Sequence, residues 1–581
     1  MQSLILMKIR NFLLSVSVVA FGLLATTPAH TAPVIQQGAA VNGASFAVAG
    51  APSSAIARGS IFVVFGAGIG PQGLVQANEF PLPLELGGTS IQIRSGGQTF
   101  DAVMLYTTAG QVAAVMPSAV PAGSAEVTLR YNGETSNPIS IEVAERQVGL
   151  FTRSQDGKGI AIVQNYVSDI ELPVNAINQS IKPGGVGILW ATGLGASANG
   201  DDRHAGIVEN VVDLSQVKLY VGGKEAEIAY AGRSNCCAGV DQINFVVPQD
   251  VPEGCFVPVY LTVGGTISNF ASISVSETGS MCPKPYGLSE EEAELLLSKD
   301  NIRVGVVNLT QTRTSVSLPI PAPPITNYTD IGVGSFFEYS TAALLDSTGV
   351  FGNATLIDGA CTLLTYRTDG QSAEVPSSVP TAYLSKVLDA GASISIQGPG
   401  GPKQLAKVGL PAGTYQATLN NPLDAGSGYL RPGQYTIGNG GGGADIGAFN
   451  FTENIPNFVT WTNRDAISSV NRAQGVKITW TPPQGNSLEG MVLVTGQSYS
   501  VSQNVGSVVF CSADPSVGEL TIPPSVLQGM VKSEGIVGPG TVPAGSLVFT
   551  YSSSVRRFDA PNLDVGVFAV STADVKALNF D

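Results

Sequence analysis

One cassette of residues occurs twice, in the same order, in the first half of the chain. Copy one carries Gly59, Phe65, Gly68-Ile69-Gly70, Gln111, Pro117, Pro121, Gly123 and Ser136-Asn137. Copy two carries Gly184, Trp190, Gly193-Leu194-Gly195, Gln242, Pro248, Pro252, Gly254 and Ser268-Asn269. Spacings from the Gln through both Pro to the Gly are identical, and only the stretches between drift. A duplication of this length requires two like domains in series.

The elements inside the cassette read as strands. Residues 60–65 and 90–93 are rich in β-branched and aromatic side chains, and 126–131 alternates apolar and polar as a strand with one buried face must. Val120-Pro121-Ala122-Gly123 precedes that run in a type I turn pattern, repeated as Val251-Pro252-Glu253-Gly254, Leu410-Pro411-Ala412-Gly413 and Val542-Pro543-Ala544-Gly545. With 69 Gly, 36 Pro and a charged fraction of 13%, helices are starved. Short strands with regular turns predict an all-β chain of sandwiches. Its 581 residues exceed the roughly 250 that one core organises.

We expect a signal peptide at 1–29, repeat sandwiches at 34–146 and 147–286, and a helical and Pro-rich spacer at 287–325. A β-rich domain at 326–450 and a sandwich-like domain at 451–581 follow. Lys8 and Arg10, an apolar run at 12–24 and the small residues Thr27-Pro28-Ala29 carry the signal-peptide reading. In the spacer, Ser289 and Glu292 form a capping box, with Leu288 as staple and Ala293 onward as the apolar face. Leu318-Pro319-Ile320-Pro321-Ala322-Pro323-Pro324 predicts a stiff extended tract. The run 438–443, five Gly and Asn439, predicts an irregular loop, and 476–481 alternates as a strand before Pro482.

All six Cys lie after the signal segment, which suits an oxidising compartment. Four of them allow three pairings. We expect Cys236 and Cys237 to bond outward to Cys255 and Cys282, since neighbouring Cys bridge each other only with strain. Cys361 and Cys511 are expected to pair in the C-terminal half.

The motif string resembles a family of uncharacterised bacterial secreted proteins sharing the Solibacter-type C-terminal domain. It is carried by Val41-Asn42-Gly43-Ala44-Ser45-Phe46, Pro81-Leu82-Pro83, Leu86-Gly87-Gly88-Thr89 and Gly149-Leu150-Phe151-Thr152. Asp156-Gly157-Lys158-Gly159, Pro183-Gly184, Ala191-Thr192-Gly193-Leu194-Gly195 and Asp241-Gln242-Ile243-Asn244-Phe245-Val246-Val247-Pro248 complete it. The resemblance covers residues 41–275 and implies immunoglobulin-like sandwiches in tandem, with no catalytic residues to carry over. The unit here sits N-terminally, against the position its name implies.

Groups suited to catalysis are few. Gly68-Ile69-Gly70-Pro71-Gln72-Gly73 fits G-x-G-x-x-G, but Pro71, Pro81 and Pro83 deny it the helix a dinucleotide needs. Of two His, His30 borders the cleavage site, leaving His204 in a polar run where Asp201 and Asp202 are the alternative hard-cation ligands. Asp424, Asp445 and Asp465 are candidate glycosidase acids without a distinguishing spacing. Trp190 and Trp480 read as core, while Trp461 and Tyr429 are open to sugar stacking. A net charge of −15 repels nucleic acid.

The expected protein is a secreted, non-catalytic adhesion or envelope scaffold without catalytic, cofactor or metal sites, meeting an extracellular protein or polysaccharide surface. It has no membrane span after signal cleavage. A carbohydrate-binding array and a carboxylate-dependent glycoside hydrolase are the alternatives.

Overall fold

The computed structural model describes residues 32–581 except 198–199, 201, 206–207, 209, 284–288, 317–324, 342–358, 369–383, 410–412, 421–427, 483–489 and 536–542. The expected signal segment lies outside these, as do Leu288 and residues 318–324.

Alternation builds the first repeat. The strand Gly123–Tyr131 buries Ala125, Val127 and Leu129 and turns Ser124, Glu126 and Arg130 to solvent. It lies between Thr89–Ser95 and Ile139–Ala144 in a six-stranded sheet. A five-stranded sheet holding Val34–Asn42, Ile61–Ala67 and Gln111–Val115 packs over it. Phe62, Val64, Ile91, Ile93, Val112 and Leu129 fill the space between, each worth about 1.5–3 kcal/mol of transfer free energy. The turn before the late strand closes about three residues earlier than the sequence pattern suggests. Val120 N–H donates to Pro117 O (3.1 Å), as Val251 N–H does to Pro248 O (3.4 Å). Gly123, at φ +120°, is already a strand residue.

The second repeat makes its two layers by bending one strand. Lys224–Arg233 pairs through Lys224, Glu225 and Ala226 with Val217–Val221 and from Glu227 onward with Asp241–Val246, with a bulge between Ile228 and Tyr230. Leu189, Leu219, Ile243, Phe245, Val259, Leu261 and Ile273 form the core.

Both Ser-Asn pairs of the cassette do the same work. Ser136 Oγ accepts from Leu129 N–H (3.0 Å) and donates to Asn137 O (2.9 Å). Ser268 Oγ accepts from Leu261 N–H (2.9 Å) and donates to Asn269 O (2.7 Å). The amide of Asn137 donates to Ile35 O and accepts from Ile35 N–H; Asn269 treats Leu150 identically. Each pair clasps the first strand of its own repeat.

Beyond the repeats the expected boundaries need correction. The helix Glu290–Leu297 has its capping box, with Ser289 and Glu292 bonded reciprocally. It is no free spacer: Ala293 and Leu296 pack on Ile302, Val304, Val565 and Val567. Asn301–Val316, placed in the spacer by sequence, is a strand paired antiparallel with Ile325–Ser340 and parallel with Val565–Leu578. The expected cut between 326–450 and 451–581 does not separate two sheets. Cys361–Arg367 pairs with Val505–Ala513, and one 14-stranded sheet runs through both segments. Local alternation marks strands but carries no signal for partners so distant in sequence. Gly438 ends the strand Gly433–Gly438, so the irregular run begins at Asn439. Val476–Thr481 is a strand as expected.

The second repeat is seated on this C-terminal body. Tyr260, Ile267 and Phe270 share a core with Trp461, Trp480 and Phe549, and Tyr260 stacks on both Tyr220 (4.9 Å) and Phe270 (4.5 Å).

Candidate functional site

A buried polar arrangement lies at the junction of the two repeats. Arg233 ends a strand, and Asp241 begins the next after an intervening turn. The guanidinium binds Asp241 Oδ1 through Nη1, and Nη2 donates to Gly195 O and, across the junction, to Gly59 O (2.9 Å). Asp241 Oδ2 accepts from Leu194 N–H (2.8 Å). Side-chain exposure is 4% for Arg233 and 0% for Asp241. Burial pushes the Asp241 carboxyl up, and Arg233 and the Leu194 N–H pull against it. Gly59 must be glycine here. Its φ is +68°, and a Cβ would stand 2.3 Å from Arg233 Nη2.

A hydroxyl and a second arginine extend the junction. Thr192 Oγ1 donates to Gly239 O (2.6 Å) and accepts from Ile61 N–H of the first repeat (2.8 Å). Arg58 Nε donates to Ser118 O (2.9 Å), and its Nη1 meets the Glu145 carboxylate. Ser118 in turn donates from N–H (2.7 Å) and Oγ (2.6 Å) to Asp202. Leu82 and Arg203 exchange bonds, Leu82 N–H to Arg203 O (2.8 Å) and Arg203 Nε to Leu82 O (2.7 Å).

The sequence-derived candidates fall into place around this frame. Asp202, read as an alternative cation ligand, gives both carboxylate oxygens to Ser118, and Asp201 lies outside the described residues. His204 stacks on Phe80 at 6.1 Å. Ile69 of the glycine motif is fully buried in the first core and donates its N–H to Ala109 O, a turn between strands. Among the candidate acids, Asp445 binds Lys386 and accepts Asp389 N–H (2.9 Å), while Asp465 faces solvent beside Arg464. Asp424 lies outside the described residues. The Lys407 ammonium and the Gly391 N–H hold the Asp389 carboxyl down to about 2, and Lys386 lowers that of Asp445. A glycosidase acid needs the opposite shift.

All four candidate aromatics are buried. Trp190 Nε1 donates to Gln164 Oε1 (3.1 Å), Trp461 Nε1 to Asn463 Oδ1 (2.9 Å) and Trp480 Nε1 to Pro515 O (2.7 Å). Tyr429 OH donates to Gly401 O (2.7 Å). None of them offers a face to a sugar.

Cys361 and Cys511 pair as expected, but the four cysteines of the second repeat pair differently. Cys255 bonds to Cys282 and Cys361 to Cys511, but Cys236 and Cys237 bond to each other. Cys255 and Cys282 are sequestered with Ile160, Ile177 and Phe256, whereas Cys236 and Cys237 occupy the turn at the junction. Loop closure assigns about 3.5 kcal/mol to the separation of 27 and about 5 kcal/mol to that of 150. Neighbouring cysteines close almost no loop.

Sequence reasoning missed Arg233 and Asp241. A signal existed: Asp241 is a lone acid at the head of an apolar-alternating strand, where the first repeat has Gly110.

Two sandwiches joined through buried polar groups and packed on a third β body define a multi-domain β protein. No family model and no curated protein matches the chain. Among solved structures, domains 4–9 of the surface layer protein SbsC align at 9% identity, covering 92% of this chain and 83% of that one, with a TM-score of 0.16. Sidekick-1 immunoglobulin domains 1–4 align at 9% identity over 94% and 98%, TM-score 0.11. The chicken CNTN1 FN1-FN3 domains align at 11% over 68% and 94%, TM-score 0.10. Scores of this size carry no argument; the fold stands on the chain's own strands. No helix of the described residues is long and apolar enough to cross a membrane.

Proposed function

We propose that the chain is a secreted, non-catalytic β-sandwich protein that serves adhesion or envelope scaffolding. The observation that carries this is the buried bond from Arg233 to the Gly59 carbonyl, which fixes one repeat against the other. Rigid juxtaposition presents loops in a fixed geometry without spending binding energy on ordering them. Two disulfides in buried settings support an oxidising, extracellular location. We also propose membership of residues 41–275 in the Solibacter-type family; the matching Ser-Asn clasps support a true internal duplication there.

Loops and tips supply the contacts in this reading. Around the turn closed by Ser168 and Glu171, Tyr166, Val167 and Ile170 project into solvent, Ile170 at 80% exposure. An apolar prominence of this kind suits a protein or polysaccharide surface.

The test is incubation of the purified chain with glycan and peptide libraries, reading both retention and turnover. Retention without turnover is expected. Turnover that stops on Asp445→Asn or Asp389→Asn overturns the non-catalytic reading.

A further inference from the structure

We propose that Cys236–Cys237 is a thiol–disulfide exchange site that controls the docking of the first repeat on the second. The proposal goes beyond the scaffold reading and does not depend on what the scaffold binds.

Position carries the argument. The bonded pair sits in the turn between Arg233 and Asp241, the two residues of the buried clamp. The next residue, Ala238, is buried among Leu82, Val103 and Val115 of the first repeat. Gly239 follows at φ +71°, and a Cβ there would meet Ile61 at 2.9 Å and Val115 at 3.0 Å. The Gly239 carbonyl accepts from the Thr192 hydroxyl that also receives Ile61 N–H. One short turn therefore contributes apolar contact, close backbone approach and the hydroxyl bridge to the junction. Bonding between its cysteines holds the turn in the shape these contacts need, and so small a ring hardly constrains the unfolded chain.

Access points to the same pair. Cys236 and Cys237 are half-buried beside an exposed Asn235, while Cys255, Cys282, Cys361 and Cys511 are buried. Exchange needs a thiolate to reach a sulfur in line with the bond it breaks. The co-reactant is an external dithiol. Its thiolate attacks one sulfur, the Cys236–Cys237 bond breaks, and a mixed disulfide forms. The donor's second thiol then displaces the remaining cysteine. The donor leaves as a disulfide, having lost two electrons and two protons, and Cys236 and Cys237 gain both as thiols. The freed turn no longer holds Ala238 and Gly239 against the first repeat.

The experiment uses the full chain under native conditions with graded dithiothreitol, alkylation of freed thiols and peptide mass spectrometry. Amide hydrogen exchange at Ile61 and Leu82, whose N–H groups bond across the junction, is followed in parallel. Cys236 and Cys237 are expected to label at about tenfold lower reductant than the other four, with junction exchange rising about tenfold and recovering on reoxidation. The double variant C236S/C237S should exchange fast without reductant and respond no further. If that variant fails to fold, the wild-type titration decides. Reduction of this pair together with or after the buried ones, or unchanged junction exchange once it is reduced, overturns the proposal.

Discussion

Trp190 stands directly opposite Gln242 on adjacent antiparallel strands, and Phe65 stands opposite Gln111 in the same way. Residues far apart in the duplicated cassette are thus cross-strand neighbours in both copies. The drift between them falls in connections, where insertions cost little.

The two clasps should have similar worth, with Asn269 making one further bond, to Gly157 O (2.8 Å). Asn137→Ala and Asn269→Ala each remove a reciprocal pair of bonds to a first strand. Each should lower unfolding free energy by about 1–3 kcal/mol in urea titrations followed by fluorescence. A loss confined to one variant would show that the two clasps differ.

Breaking the clamp should cost more than replacing it. Arg233→Met leaves Asp241 buried without its cation, and Asp241→Leu leaves the guanidinium without its anion. Each should destabilise by about 3–5 kcal/mol, and the double variant should recover much of the loss. Thermal unfolding of the four proteins gives the cycle, and additive losses would argue against a coupled pair.

Acid should weaken the Asp389 turn. Its folded carboxyl titrates near 2, below the usual value of 3.8, so the unfolded chain takes the proton first as pH falls. The stabilisation is present in full above the usual value and drains away as pH drops toward about 2. Asp389→Asn should therefore lose less stability than wild type between those limits in denaturant melts at stepped pH. Parallel pH profiles would deny the Lys407–Asp389 contact its role.

The two long-range disulfides should rank by the loop each closes. Cys361→Ala with Cys511→Ala should cost more than Cys255→Ala with Cys282→Ala, by about 1–2 kcal/mol. Equilibrium unfolding of the two double variants measures the gap. The reverse order would place the larger effect in native packing around Ile160 and Phe256.

At the surface, Ile170→Asp should abolish retention on whichever library surface the chain recognises and leave its melting temperature within about 1 °C. Retained binding would move the contact elsewhere.

Much of the repeats was legible because period-two burial and turn chemistry are local. Val127 and Leu129 announce their own inward face, and Ser289 with Glu292 announces a helix start. What stayed hidden depends on distant partners. Nothing near Val304 indicates that Val565 will lie beside it, and nothing in a Cys-Cys dipeptide reveals that its turn keeps it away from Cys255. Arg233 was hidden for a related reason: its carbonyl partner Gly59 belongs to the other repeat. Trp480 was legible as core from the alternation of its strand, whereas the burial of Trp461 depends on the distant core around Phe549 that the two share.

Asn301–Val316 takes one neighbour from the segment that follows it and the other from Val565–Leu578. A polypeptide delivered from its N-terminus can finish both repeats while that second seat is still vacant. During the interval that strand flank has unpaired backbone groups, to which another unfinished chain can add a strand.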